Sequence, residues 1–462
     1  MLKLKKNLII YYYFHSISMI EFLIIGSGFA GAVSAIHLID NGVNPKNITI
    51  VGPTKVGCGN AYECDHTEFR LNVSSEIMWI NPEKKLEFTE WAKLNIHDPI
   101  ASHFSGKFYK RNDFAKFVYS KLEKYLINKQ LSHQKRTVMR IYKNEKDKWG
   151  IILDNKKKLF SKNIILATGN PKPKWPCLVE KVLKNNHESL FENPWDGQWI
   201  SRINKNEKIL IIGSGLSALD CLSVLKHKGH KGAIVLVSRS GEFPPTQAKW
   251  ERKNNPKWPG SLNEPLLPSI MINFIKNYLP NKPYSSSEWQ SSWEELRLDI
   301  NLNWNRISDR GKIKLKRNFY SLWSRLRYRA SPQSIKAKNY FQDKGQLIVY
   351  RGYAEKIINE KNTLNLKLHD GRKIASDKII NCSGKGRDFL IDQIIKDKMG
   401  IPDIFNETLQ VDKEFSVLPY EGMDNKGLYL IGPSLVSSNG DIAAASKVSL
   451  QGISLVNSLL GS

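Results

Sequence analysis

The apolar positions of this chain fall into short runs that end in glycine. The clearest is residues 21–31, EFLIIGSGFAG, where four apolar residues lead straight into Gly26-Ser27-Gly28-Phe29-Ala30-Gly31. A helical pattern, AVSAIHLIDNG, follows and closes on Asn41-Gly42, a favourable C-cap pair. The reading is strand, tight turn, helix. Residues 208–220, KILIIGSGLSALD, repeat it with Gly213, Gly215 and a small residue, Ala218, at the third position. A second helical pattern, CLSVLKHKG, then ends at Gly229. Either copy alone fits a βα unit of an ordinary α/β protein, and the two together favour nucleotide binding.

The intervening patterns suggest a duplicated plan. Residues 46–51 (KNITIV) predict a second strand, and 137–142, 149–153 and 158–160 predict short strands leading into 163–169, NIILATG. In the second half, 232–239 (GAIVLVSR) matches the second strand. There 346–350, 364–368 and 373–374 repeat the short-strand pattern and lead into 378–384, KIINCSG. Residues 427–432 (GLYLIG) read as a last strand ending at Gly432, and 446–460 as a closing helix. Residues 243–332 differ: they hold Trp250, Trp258, Trp289, Trp293, Trp304 and Trp323, with proline breaks and helical patterns over 269–278 and 286–329. Such an insertion would roof the active site, its tryptophans more often core than site. The fold class expected is α/β, with two Rossmann-like dinucleotide-binding domains, the first discontinuous, and an α-helical insertion.

Composition narrows the partners. The chain has 462 residues, enough for two or three domains, and no apolar run long enough to cross a membrane. The formal net charge of +26 raises nucleic acid or an anionic membrane as a partner. The lysines are scattered, however, and no basic stripe interleaved with aromatics occurs, so no nucleic-acid partner is expected. Five cysteines, odd in number and without metal-type spacing, fit a reducing cytoplasm and give no metal site. Residues 1–18 carry Lys3, Lys5 and Lys6 before LIIYYYF, like a short leader. The preferred reading starts translation at Met19; a surface-binding basic leader is the other.

The order GxGxxG, ATG, GxGxxA, a second Thr/Ser-Gly motif and a terminal strand-Gly resembles flavoproteins with two dinucleotide-binding domains. More narrowly, the chain resembles a bacterial subgroup of FAD/NAD(P)-binding proteins that includes one type of FAD-dependent urate hydroxylase. The matching residues include Gly57-x-Gly59-x-Ala61-Tyr62, Leu71-Asn72-Val73, Asn193-Pro194-Trp195, Ser238-Arg239-x-Gly241, and Trp323 with Arg327, Arg329 and Pro332. The resemblance implies an FAD domain over 19–198 and 384–462, an NAD(P) domain over 199–243 and 340–383, and the insertion over 244–339. It puts the FAD pyrophosphate on Gly26, Gly28 and Gly31. It runs Gly57, Gly59, Ala61, Tyr62 and Asn72 near the flavin, closes Thr168 and Gly169 over the cofactor, and sets Gly432 at the flavin end. Asn72 is read either as a hydrogen-bond donor to flavin or substrate, or as a turn cap.

Two departures shape the functional reading. The acidic residue that bonds the ribose at the end of the second strand is missing, since the strand runs Ile50-Val51-Gly52-Pro53. Thr54, Lys55 or backbone would have to substitute. Gly52 stands 26 residues after Gly26, and Arg239 stands 26 after Gly213, so by count the matching position of the second unit holds Arg, preceded by Ser238. A guanidinium there favours a 2′-phosphate, hence NADPH bound by Gly213, Gly215, Ala218, Ser238 and Arg239; a solvated surface arginine is the other reading.

The expected activity is an FAD-dependent oxidoreductase reduced by NADPH, a flavin monooxygenase hydroxylating a small molecule with O2. No catalytic acid, base or nucleophile is assigned. The Baeyer–Villiger-type signature is absent around Asn186-His187. The alternatives are an NAD(P)H reductase acting on a thiol, disulfide or electron acceptor, suggested by Cys58 and Cys64, or a non-catalytic FAD-binding relative. Arg327 is a candidate anchor for an anionic substrate or a cofactor phosphate, an ordinary salt bridge being the other reading.

Overall fold

The computed structural model describes residues 19–144, 148–183, 188–360, 363–435, 440–441 and 444–461. The leader and Asn186-His187 lie outside the described residues. The chain opens with β1 (Ile20–Ile25), α1 (Phe29–Asp40) and β2 (Ile48–Val51), then α2 (Glu87–Asn95) and α3 (Arg111–Ile127). β3 (Ser132–Gln134), β4 (Val138–Lys143), β5 (Trp149–Leu153) and β6 (Lys158–Leu166) follow. Next come β7 (Leu190–Phe191), β8 (Ile209–Ile212), α4 (Leu216–His227) and β9 (Ile234–Ser238). The insertion holds α5 (Pro268–Tyr278), α6 (Ser287–Asn305) and α7 (Asp309–Arg327), and α8 (Pro332–Asp343) leads out of it. The chain finishes with β10 (Leu347–Arg351), β11 (Ala354–Glu360), β12 (Thr363–Leu368), β13 (Lys373–Ser376), β14 (Lys378–Asn381), α9 (Phe389–Lys396), β15 (Leu428–Leu430) and α10 (Ala445–Leu460).

Two parallel layers carry the molecule. In the first, β3, β2, β1 and β6 lie side by side in parallel. β6 then divides its outer edge: its start pairs antiparallel with β5 and its end pairs parallel with β15. Thus the last strand of the chain returns beside the ATG strand. The second layer is β7-β14-β8-β9-β10, all parallel. β11, β12 and β13 form an antiparallel meander beside it.

Strand alternation explains the two-faced burial. Phe22 and Ile24 face one core with α1, α3 and α10, while Leu23 and Ile25 face another with β5, β15 and α9. Ile209 and Ile211 likewise pack with α4 and α8, while Leu210 and Ile212 face the meander. Strands buried on both faces read as continuous apolar runs, which is why these two were the easiest to find. The insertion keeps small cores of its own, one of them built on Trp289 stacked on Trp293 at 5.0 Å.

Four sequence expectations are corrected. Residues 158–160 and the start of NIILATG form one strand, β6, bent between two partners. Residues 346–350 do not join the meander; β10 extends the second parallel layer beside β9. β11, missed because its pattern AEKIINE is mostly polar, supplies the meander strand instead. The long helix expected over 286–329 is two helices, α6 and α7. Ser308 breaks it by accepting the Gly311 amide at 3.3 Å as an N-cap, with Ile307 buried at the corner.

Candidate nucleotide and substrate site

Both glycine turns are pressed beneath the end of the strand that leads into their own layer's Thr/Ser-Gly motif. A Cβ on Gly26 would stand 2.1 Å from the Ala167 carbonyl oxygen, and one on Gly213 would stand 2.2 Å from that of Cys382. Both glycines have positive φ, +123° and +112°, so no other residue fits either place. A Cβ on Gly31 would lie 1.9 Å from the Gly26 carbonyl oxygen, the close helix–strand packing expected at the third position. Ala218 is fully buried under its own turn.

The helices after the turns begin on glycine without a side-chain cap; α2, α3, α5 and α10 also lack such a cap, but without the glycine. Ser286, Ser308, Ser331 and Asp388 cap α6, α7, α8 and α9 with side-chain oxygens. α1 starts at Gly28 and α4 at Gly215, with no side-chain cap and no acidic residue in the first turn. Their leading N–H groups are left for an anion, in the positive field of the helix end.

The surroundings of the two turns differ. Over the first lies the GCGNAY loop: Gly57 donates its amide to the Ser27 carbonyl at 2.8 Å, and a Cβ on Gly59 would meet Gly28 Cα at 2.9 Å. Tyr62 packs edge-on to Phe114 at 5.3 Å, and Ala61 is exposed. The loop therefore rests on the turn itself. Asn72 is half-buried beside Leu71, whose amide binds the Tyr109 carbonyl at 2.9 Å. Over the second turn, a Cβ on Gly215 would meet nothing within 4 Å.

Around the first turn, several buried polar atoms have no hydrogen-bond partner: Thr168 Oγ1, Ser434 Oγ and Gln451 Nε2. A Cβ on Gly169 would meet nothing within 4 Å. Gly432 lies against α1, where its Cβ would be 3.3 Å from that of Ala30, and its amide binds Gln451 Oε1 at 2.8 Å. Orphaned polar atoms beside an uncapped helix start fit a polar cofactor.

The missing ribose carboxylate has a steric cause. A Cβ on Gly52 would stand 2.4 Å from both the amide nitrogen and Oγ of Ser27, so no side chain fits at that strand end. Thr54 is already committed, meeting Ser27 Oγ at 2.9 Å and accepting the Gly59 amide at 3.0 Å. Lys55 Nζ lies 3.6 Å over the Tyr119 ring.

The count that set Arg239 against Gly52 is corrected by one residue. Gly26 donates to the Val51 carbonyl and Gly213 to that of Val237, so Gly52 corresponds to Ser238 and Arg239 to Pro53. The second unit reaches its second strand one residue sooner. Ser238 Oγ accepts the Gly241 amide at 3.0 Å and shapes the loop, and Arg239 stands exposed beyond it. Arg351, which the sequence reading did not pick out, arrives beside this loop from β10, next to Gly241.

Cys58 and Cys64 carry free thiols. Burial pushes both up from the usual thiol range, opposite to what a reactive thiolate needs. The Cys64 sulfur lies beside Gly197, at the edge of the core around α4.

The arginines at the end of α7 fan out to three elements. Arg325 pairs with Glu242, whose carbonyl accepts Ser214 Oγ at the second glycine turn at 2.7 Å. Arg327 Nε pairs with Asp441, on the segment beyond Gly432. The helix ends at Arg327 and the chain extends, with Ala330 bridged to Thr246, which swings Arg329 into the same buried cluster at Glu294, 2.9 Å away. Arg297 joins Glu294 at 2.6 Å to Asp441 at 2.5 Å. Arg297 and Glu294 were not singled out in the sequence, although their spacing puts them on one helix face.

Two family models match parts of the chain, one described as FAD-NAD(P)-binding over residues 23–171, the other as L-lysine 6-monooxygenase/L-ornithine 5-monooxygenase over residues 107–250. No curated protein sequence matches. Among solved structures, the ornithine N-hydroxylase of Kutzneria sp. 744 is 13% identical with a TM-score of 0.60, covering 96% of this chain and 99% of its own. The cadaverine monooxygenase of Erwinia amylovora, solved with FAD, is 11% identical with a TM-score of 0.62, covering 96% and 95%. The bacillithiol disulfide reductase of Staphylococcus aureus is 14% identical with a TM-score of 0.53, covering 96% and 99%. The chain has the fold of these two-nucleotide flavoproteins. No helix among the described residues is long and apolar enough to cross a membrane.

Proposed function

We propose that this chain is an FAD-dependent monooxygenase, reduced by NADPH, that hydroxylates the amine of a small molecule. The observation that carries this reading is the pair of matching glycine turns, each pressed against the neighbouring strand end and opening a helix on glycine, with Thr168 Oγ1 orphaned beside the first. On this reading residues 19–198 and 384–462 hold FAD, 199–243 and 340–383 hold NADPH, and 244–339 cover the reacting centre. The lysine/ornithine monooxygenase model and the hydroxylase neighbours support the amine as the group attacked. The urate hydroxylase resemblance finds no counterpart among these relatives.

The residues divide the labour as follows. Gly26, Gly28 and Gly31 present α1's free amides to the FAD pyrophosphate, and Gly57, Gly59, Ala61 and Tyr62 cover that turn. Thr168, Gly169, Asn72, Gly432 and Ser434 offer polar groups and open backbone toward the flavin side. Gly213, Gly215 and Ala218 do the same for the nicotinamide nucleotide, with Ser238 shaping the loop and Arg239, helped by Arg351, meeting a 2′-phosphate. FAD, when bound, supplies hydride acceptance and activation of O2. The protein's part is to position the nucleotides and keep water out beneath the insertion.

A disulfide reductase shares the fold, but here the Cys58 thiol is buried and the Cys64 thiol half-buried, and burial raises both. The test is NADPH-dependent transfer of isotopically labelled oxygen to a panel of amines, followed by mass spectrometry. Label in an N-hydroxylated product is expected; NADPH-driven reduction of disulfides without labelled product contradicts the reading. Arg239→Ala is expected to lower kcat/KM for NADPH by about tenfold while sparing NADH.

A further inference from the structure

The arginine cluster on α6 and at the end of α7 holds more positive charge than its carboxylates balance. Three guanidinium groups, of Arg297, Arg327 and Arg329, meet two carboxylates, of Glu294 and Asp441, all largely withdrawn from solvent, and the exposed Arg252 stands 3.8 Å from Glu294. The side chains of Arg327 and Arg329 are 7% and 3% exposed. Arg329 binds Glu294 through Nη1 alone, and its Nε and Nη2 are buried with no partner. Those two atoms form one edge of the guanidinium, the side-on fork that grips a carboxylate through two parallel hydrogen bonds. Arg327 Nη2 is orphaned in the same way.

The charges behave as an under-compensated cluster should. Burial pulls the Arg329 guanidinium down to about 10, Glu294 opposing it only in part. Burial also lowers the nearby Lys447 ammonium; Asp441 opposes this, and Arg297, Arg252 and Arg327 add to it. Burial would raise the Glu294 and Asp441 carboxyls, yet the arginines outweigh it and hold both below their usual range. The carboxylates are therefore ionised, and the remaining positive charge needs a further anion.

Along the chain, the cluster is linked to elements at both nucleotide turns. Arg325, two residues before Arg327, reaches Glu242 beside the second turn, and Asp441 follows, in sequence, from Gly432 at the first.

We propose that the free edge of Arg329, with Nη2 of Arg327, binds a carboxylate of the substrate. This rests on the amine-monooxygenase reading and refines it: the substrate is an amine that carries an acid group, as ornithine and lysine do, rather than a bare diamine such as cadaverine.

The test uses the purified full chain. Flavin retention and bleaching by NADPH are read first without amine, so that failure of the flavoprotein reading is seen separately. Calorimetry then measures binding of L-ornithine, L-lysine, succinate, cadaverine, putrescine and adenosine 2′-phosphate to wild type, Arg329→Lys and Arg329→Gln. A carboxylate-bearing amine is expected to bind at least about tenfold more tightly than its decarboxylated counterpart, and Arg329→Lys to erase the difference, because an ammonium offers no side-on fork. Three results overturn the proposal: equal binding of amino acid and diamine, no binding of any carboxylate probe, or an Arg329 effect confined to adenosine 2′-phosphate. The last would assign the edge to a cofactor phosphate. If the variants do not fold, the wild-type comparison of amino acid with diamine decides.

Discussion

Gly31 shows how far a single position constrains this chain. Its missing Cβ lets α1 sit on the Gly26 carbonyl, and Gly31→Ala is expected to cost about 2 kcal/mol or more through overpacking, read as a lower urea midpoint with unchanged slope. His37, buried on α1 against Gly452 of α10, gives a pH dependence. Burial lowers its pKa to about 4 from an ordinary 6.5, so the unfolded chain takes up a proton first as pH falls. The resulting stability is complete above about pH 6.5 and lost as pH falls toward 4, about 3 kcal/mol at most. His37→Leu is expected to flatten that part of the profile in thermal melts between pH 7 and 5. The glycines were legible in the sequence because a turn without Cβ leaves a written signature. The clash at Gly52 and the free edge of Arg329 were not, since both depend on partners far along the chain, Ser27 in one case and Glu294 in the other.

At the scale of elements, the strands and helices that touch nucleotide turns were read well because both of their faces are buried. Errors gathered where burial is partial. β11 is mostly polar, and the break between α6 and α7 rests on one serine cap in a run that otherwise continues a helical pattern. Ser308→Ala removes the acceptor for the Gly311 amide and is expected to destabilise the insertion by about 1 kcal/mol, measured by hydrogen exchange along α7. The single-residue offset between the two βαβ units had the same origin. Counting along the chain assumes equal loop lengths, and only the bonds from Gly26 and Gly213 to their second strands reveal the true correspondence.

At the scale of the whole molecule, Arg111 of α3 pairs with Asp220 of α4 across the two parallel layers, 2.8 Å apart, with Asp220 buried. Burial raises the Asp220 carboxyl to about 6, Arg111 opposing. Arg111→Met leaves that carboxylate uncompensated and is expected to cost about 3 kcal/mol at pH 8, with much of the loss recovered at pH 5 where Asp220 is protonated, read by chemical denaturation. On the proposed function the layers must hold their relative positions, because the two glycine turns would serve one reacting centre covered by the insertion. That is the central claim, and an anaerobic spectrum tests it most directly. The chain, started at Met19 and purified without added flavin, would be mixed with NADPH and separately with NADH. A bound flavin band that bleaches, and bleaches faster with NADPH, is the expected result. Protein that carries no flavin even after reconstitution with FAD would contradict the account.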